Sequence, residues 1–331
     1  MKRRNFIQAG LGLSLLPCAQ SASPSELRWQ DITFNGLGTV MSIRAAHLSA
    51  DALQHALQRA RQVIEQVEDE MSLFRPGSAL SQLNRDGVLR KPPTQLLHVL
   101  ELSQRVALQS QGAFDVTVQP LWQLYAQAQK EGRLPTARQV TQAQQRVGWQ
   151  HLDVTSTQIT LHQSGMGVSL NGIAQGYAAD LVKASLKRDG VLHALINTGE
   201  WSALGMADGK RPWVLGIANP RGDTPQAEPW LTRVAMQGLS IATSADDQCT
   251  FSDDRMHHHI FNPHTGYSPQ DIASVTVAAP TCTQADALTK VLFVAGYAQA
   301  LQVAHVWGVP ALVVNKTGEW KASKTWARVA A

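Results

Sequence analysis

Leu53, Leu57, Ala60, Ile64, Val67 and Met71 recur at three- and four-residue intervals, and polar residues fill the positions between them. With Ser49 in place as an N-cap, that spacing predicts a long amphipathic helix from about residue 49, its apolar stripe laid on a core. Ahead of it, Leu37-Gly-Thr-Val-Met-Ser-Ile43 alternates like a first strand, with Gly38-Thr39 a small, backbone-accessible point within it. Pro76-Gly77 then interrupts the pattern, and residues 79–84 form a short turn of helix. A second amphipathic helix covers about 94–110 after Pro92-Pro93, and a polar one over 133–146 takes Pro135-Thr136 as its cap.

The second half alternates apolar runs with turns. Residues 153–162 have the β-branched alternation of one strand, while Ile173, Tyr177, Leu181 and Ala184 repeat at helical spacing down to a stop at Asp189-Gly190. A glycine-bearing turn joins the two. Further strands are expected at 194–199, 213–220, 239–244, 273–279 and 311–314, with helices at about 283–294 and 298–307. Because no regular βαβα beat appears, the fold class is α+β, a mixed sheet with packed helices. With 331 residues, 44% hydrophobic and 16% charged, the chain can bury a full core, and residues 22–331 are taken as one domain with room for two lobes.

Charge changes this picture little. The net +4 comes from scattered Lys and Arg with no aromatic stripe between them, which argues against nucleic acid and leaves room for one anionic ligand. The start of the chain is more telling. Lys2-Arg3-Arg4-Asn5-Phe6-Ile7, followed by an apolar run over 9–16 too short for a permanent span, looks like a twin-arginine export signal ending near residue 21. A soluble periplasmic protein is expected; a lipid anchor at Cys18 is the alternative, poorly served by Pro17. Cys249 and Cys282 remain, to pair or simply to be buried.

Three stretches carry candidate chemistry. The turn before Ile173 can present backbone N–H groups and a positive helix end to an anion. It is neither a dinucleotide fingerprint, since Leu170 stands where a third glycine belongs, nor a P-loop, since no Gly-Lys-Ser/Thr follows. His257-His-His-Ile-Phe-Asn-Pro-His-Thr-Gly266 invites zinc, but neighbours on an extended segment point to opposite sides, so two surface histidines and one inward His259, a base or phosphate donor, are expected. Thr283 to Asp286 has the pattern of a capping box; alternatively Asp286 and Thr289, one turn apart, offer oxygens to a hard cation.

Taken together, these segments resemble the ApbE family of FAD:protein FMN transferases. The resemblance runs through Leu37-Gly-Thr39, Ser72 to Asn84, Gly112-Ala-Phe-Asp-Val-Thr-Val-Gln-Pro-Leu121 and Gly172-Ile-Ala-Gln-Gly-Tyr-Ala-Ala-Asp180. Trp213 to Pro220, Thr243-Ser244, His259 to Gly266 and Ala285-Asp-Ala-Leu288 complete it, and Thr198-Gly-Glu200 resembles the exported NosX-like branch associated with nitrous-oxide respiration. It implies a T-fold-like architecture and a Mg2+-dependent reaction: a threonine of an acceptor flavoprotein, exported or in a respiratory membrane, attacks the FAD pyrophosphate, accepts FMN and releases AMP. It also implies flavin-nucleotide contacts from Leu37, Thr39, Phe74, Ala113, Phe114, Asp115, Ser169, Gln175, Thr243, Ser244 and Ile260. Gly172, Asp286 and Thr289 would hold the metal, and His259 and Asp286 would act in the chemistry. Three positions depart from the family pattern: Ser169 where Asp is frequent, Gln175 where Lys is frequent, and Lys290 where a threonine ligand is usual. A flavin-delivery protein without transfer, or an FAD hydrolase using water, would draw on the same residues.

Overall fold

The computed structural model describes residues 26–222, 228–236 and 238–331, so the export signal and Cys18 lie outside the described residues. The run expected as a first strand opens on a tight hairpin turn and continues as the second strand. Leu37 and Gly38 sit in the left-handed region, with φ of 47° and 77°, and connect β1 (Arg28–Gly36) to β2 (Thr39–His47). Next come α1 (Ala50–Met71), α2 (Ala79–Asp86), β3 (Val88–Arg90) and α3 (Thr94–Gln109). Ser49 caps α1 through the Ala52 N–H, as its spacing predicts. After α4 (Gln119–Lys130), Thr136 and Gln139 form a full capping box on α5 (Ala137–Gln144).

The single strand expected over 153–162 is a hairpin, β4 (Leu152–Val154) and β5 (Gln158–Leu161). Thr155 makes the turn, its N–H and hydroxyl both donating to the Gln158 carbonyl, a local bond that competes with the ladder. Beyond it lie α6 (Ala174–Arg188), β6 (His193–Asn197), β7 (Trp201–Leu204), β8 (Trp213–Ala218), β9 (Trp230–Met236), β10 (Ser240–Ala245) and β11 (Ile272–Ala279). The chain closes with α7 (Cys282–Val306), β12 (Ala311–Asn315) and β13 (Trp320–Ala322). The two helices expected at 283–294 and 298–307 are the two limbs of α7, which breaks at Gly296, φ 76°.

The α+β class holds. Eight strands form the main sheet in the order β1-β2-β6-β7-β10-β11-β12-β13, and every pairing in it is antiparallel rather than mixed. Helices α1, α6 and α7 cover one face. On the other, the β8–β9 hairpin and residues 326–329 pack against Ile241, Ala278, Leu312 and Val314. With both faces covered, β11 is buried at every position, which is why it is apolar apart from Ser274 and Thr276.

One contact sets the geometry of the helical layer. A Cβ on Gly176 would lie 2.5 Å from the Cys282 carbonyl oxygen and 2.8 Å from Asp286 Cβ, so α6 and α7 approach as closely as they do only because residue 176 has no side chain. Asp180, one turn on, accepts from the Cys282 and Thr283 N–H groups, both at 2.8 Å. The start of α7 is therefore capped from α6 and by Thr281, whose hydroxyl accepts from the Gln284 N–H; the capping box expected from Thr283 and Asp286 does not form.

Candidate active site

A cleft of about 490 Å³ opens where the β1–β2 turn, the loops after α1 and before α4, the N-terminus of α6, the end of β10 and the first turns of α7 converge. Phe74 stands at its mouth, 67% exposed, its ring 3.7 Å from where a Cβ on Gly38 would be. The loop carrying it is held on both sides. Ser72 Oγ accepts from the Phe74 N–H at 3.1 Å, the Ser78 hydroxyl donates to the Ser72 carbonyl at 2.6 Å, and Arg75 pairs with Glu68 and Asp69. A large ring left in water on a fixed loop is suited to stack on a planar ligand.

The wall over residues 113–116 is ordered by Asp115. One carboxylate oxygen accepts from the Thr117 N–H (2.8 Å) and hydroxyl (2.6 Å), and the other from the Trp149 N–H at 3.0 Å. Burial raises its pKa against these bonds. Asp115 thus spends its oxygens on the loop and offers the cleft its shape, with Ala113, Phe114 and Val116 as the apolar surface. Ser169 is fixed to the same wall by its N–H, which donates to the Val116 carbonyl at 2.7 Å.

The floor is polar. Ile173 occupies the N-cap of α6 with no side-chain cap, and Ala174 and Gln175 line the cleft, so the positive end of that helix opens into it. Beneath, Asp286 is fully buried; one carboxylate oxygen accepts from the Gly176 N–H at 3.0 Å and the other is ion-paired with the Lys290 ammonium. The Thr289 hydroxyl donates to the Asp286 carbonyl at 2.6 Å and lies 2.7 Å from Ser244 Oγ. Glu200, 5% exposed, accepts from the Thr243 N–H at 2.9 Å. Its burial, and then the neighbouring Asp286, hold its carboxyl well above the usual carboxylate range.

The three adjacent histidines divide the work differently from the expected two-out, one-in pattern. His258 is fully buried against Phe293; it accepts from the Ile260 N–H and its other ring nitrogen faces the Pro269 carbonyl, and burial pushes its pKa down to about 3. His259 lines the cleft. Burial brings it down to about 4, partly opposed by its bond to the Cys249 carbonyl and reinforced by Lys290. Since a carbonyl only accepts, the contact at 3.2 Å puts the proton on Nδ1 and leaves Nε2 of neutral His259 as an acceptor. Cys249, at the cleft, and buried Cys282 are both free thiols.

Of the residues singled out in the sequence, Leu37, Thr39, Phe74, Ala113, Phe114, Asp115, Ser169, Gly172, Gln175, Thr243, Ser244, His259 and Ile260 all line this one cleft. Asp286 and Thr289 lie behind its floor and reach it through Lys290 and Ser244. Glu200 was not singled out for chemistry, although a carboxylate entering the mostly apolar strand Trp201-Ser-Ala-Leu204 is a signal for a buried acid.

A cleft of nucleotide size beside an antiparallel sheet, with an open helix end and an aromatic mouth, suits a phosphate-bearing ligand with a planar ring. The ApbE family model matches residues 37–313, and the chain belongs to that family. Curated relatives named FAD:protein FMN transferase include one from Vibrio cholerae serotype O1, 28% identical over 96% of this chain and 95% of the relative, and one from Escherichia coli K12, 26% identical over 95% and 92%. Among solved structures, the ApbE flavin transferase from Vibrio cholerae superposes with a TM-score of 0.79 at 24% identity, over 92% of this chain and 99% of that one. The ApbE protein from Thermotoga maritima gives 0.81 at 24% identity, over 91% and 99%.

Proposed function

We propose that this protein transfers FMN from FAD to a threonine of an acceptor flavoprotein and releases AMP. The observation that carries the reading is the division of the cleft: an apolar, aromatic half at Leu37, Phe74, Ala113 and Phe114 for the isoalloxazine, and a polar half at the α6 N-terminus and Lys290 for the pyrophosphate. In the reaction the acceptor hydroxyl oxygen bonds to the FMN-side phosphorus, and the bond from that phosphorus to the bridging oxygen breaks, so the bridging oxygen leaves on AMP. The hydroxyl proton goes to His259 Nε2, which neutral histidine leaves free. The positive end of α6 and the ammonium meet the charge on the phosphoryl oxygens.

The Mg2+ that the resemblance implies would fall on Gly172, Asp286 and Thr289. Asp286 and Thr289 are already committed to Lys290, Gly176, Ser244 and each other, so the donor set does not fit a divalent cation, and no step here passes through one. The twin-arginine-type start supports a periplasmic site of action and an acceptor that is exported or belongs to a respiratory membrane complex, with membrane contact through the acceptor or an anchor at Cys18. Chromatography of FAD incubated with the protein tests the reading. AMP should appear only when an acceptor bearing the target threonine is added; AMP and free FMN without an acceptor would show hydrolysis instead.

A further inference from the structure

Among the described residues, Lys290 is the one lysine or arginine that lines the cleft. Its ammonium has three N–H donors. One goes to the Asp286 carboxylate and one to the Asp286 carbonyl at 3.2 Å, which leaves the third for an occupant of the cleft. The stem is held too, since a Cβ on Gly172 would lie 3.2 Å from Lys290 Cε, and the side chain is only 19% exposed. A divalent cation bound at Asp286 would share that fully buried carboxylate with the Lys290 ammonium, and two like charges a few ångströms apart repel.

We propose that Lys290 is the built-in cation of this cleft, standing where a divalent metal would otherwise meet the FAD pyrophosphate, so that FAD binds and reacts without one. The inference rests on the flavin-transfer reading and concerns which positive charge that reaction uses. As the bond from phosphorus to the bridging oxygen breaks, the charge gathering on the AMP phosphate is met by the third ammonium donor and the α6 N-terminus. Asp286 then acts as a positioning residue, fixing the ammonium by its carboxylate and its carbonyl.

FAD titration of the full protein, followed by flavin fluorescence in EDTA and again in excess Mg2+, tests this, with Mn2+ binding to the free protein read by electron paramagnetic resonance. Equal FAD affinity in both buffers and no tight Mn2+ are expected. Asp286→Asn combined with Lys290→Met removes both charges together and keeps an acceptor for the Gly176 N–H, so the fold, checked by circular dichroism, survives. Its FAD affinity should fall by about 10- to 100-fold in either buffer, with no rescue by Mg2+. FAD binding by the parent only with Mg2+, or full affinity in the double variant, overturns the inference and leaves the transferase reading standing. No FAD binding in either buffer defeats the transferase reading, and this inference with it.

Discussion

Gly176→Ala probes the contact on which the cleft floor is built. The added methyl would start 2.5 Å from the Cys282 carbonyl oxygen and 2.8 Å from Asp286 Cβ, neither of which can rotate away. Restoring an ordinary 3.4 Å contact requires α6 and α7 to separate locally by about 0.9 Å, the difference between 3.4 and 2.5 Å. That movement stretches the 3.0 Å bond from the Gly176 N–H to buried Asp286. Overpacking costs about 1–3 kcal/mol and a weakened bond to a buried charge about 1.5–3 kcal/mol, while the better helix propensity of alanine returns about 1 kcal/mol. The expected net loss is about 2–4 kcal/mol, or roughly 5–10 °C in melting temperature by circular dichroism. FAD affinity should fall as well, because Asp286 carries Lys290 with it. A variant that melts with the parent and binds FAD as tightly would show that the helices do not need the glycine to close.

Phe74→Ala should weaken FAD binding by about 3- to 10-fold and shift stability by less than about 0.5 kcal/mol, since the ring is exposed and touches little protein; unchanged affinity in fluorescence titration would remove it from the flavin site. His258 and His259 should stay neutral down to acid pH, with NMR midpoints near 3 and 4, and a midpoint near 6.5 for either would contradict its placement. For His258 the folded value lies below the unfolded one, so its contribution to stability is full above about pH 6.5 and is lost as pH falls. Compared with His258→Gln, the parent should therefore lose about 2 kcal/mol more stability between pH 7 and pH 4.5, measured by urea denaturation; a constant gap would refute this.

Long periodic elements were legible because their burial follows one period. The stripe of α1, the mostly apolar β11 and the two limbs of α7 fall where the spacing puts them. What escaped is chosen by tertiary contacts or by local bonds. β1 and β9 carry charged and exposed residues at the margins of their sheets, and residues 153–162 fold back because Thr155 satisfies the Gln158 carbonyl. The cleft was legible as a set of segments, since short motifs far apart in the chain meet there. The roles inside it were less so. Asp115 looks free in sequence and is spent on Thr117 and Trp149. Asp286 looks like a metal ligand or a cap and is the partner of Lys290, a pairing that the i,i+4 spacing allows but does not require.

The central claim is covalent transfer, and the mass of the acceptor measures it directly. Purified acceptor, FAD and this protein should yield an acceptor heavier by one FMN less one water, with one AMP released per flavin attached. The same acceptor with its target threonine replaced by valine should stay at its original mass. An acceptor that remains unmodified while this protein binds FAD, or one that is labelled equally after the threonine is removed, would contradict the account.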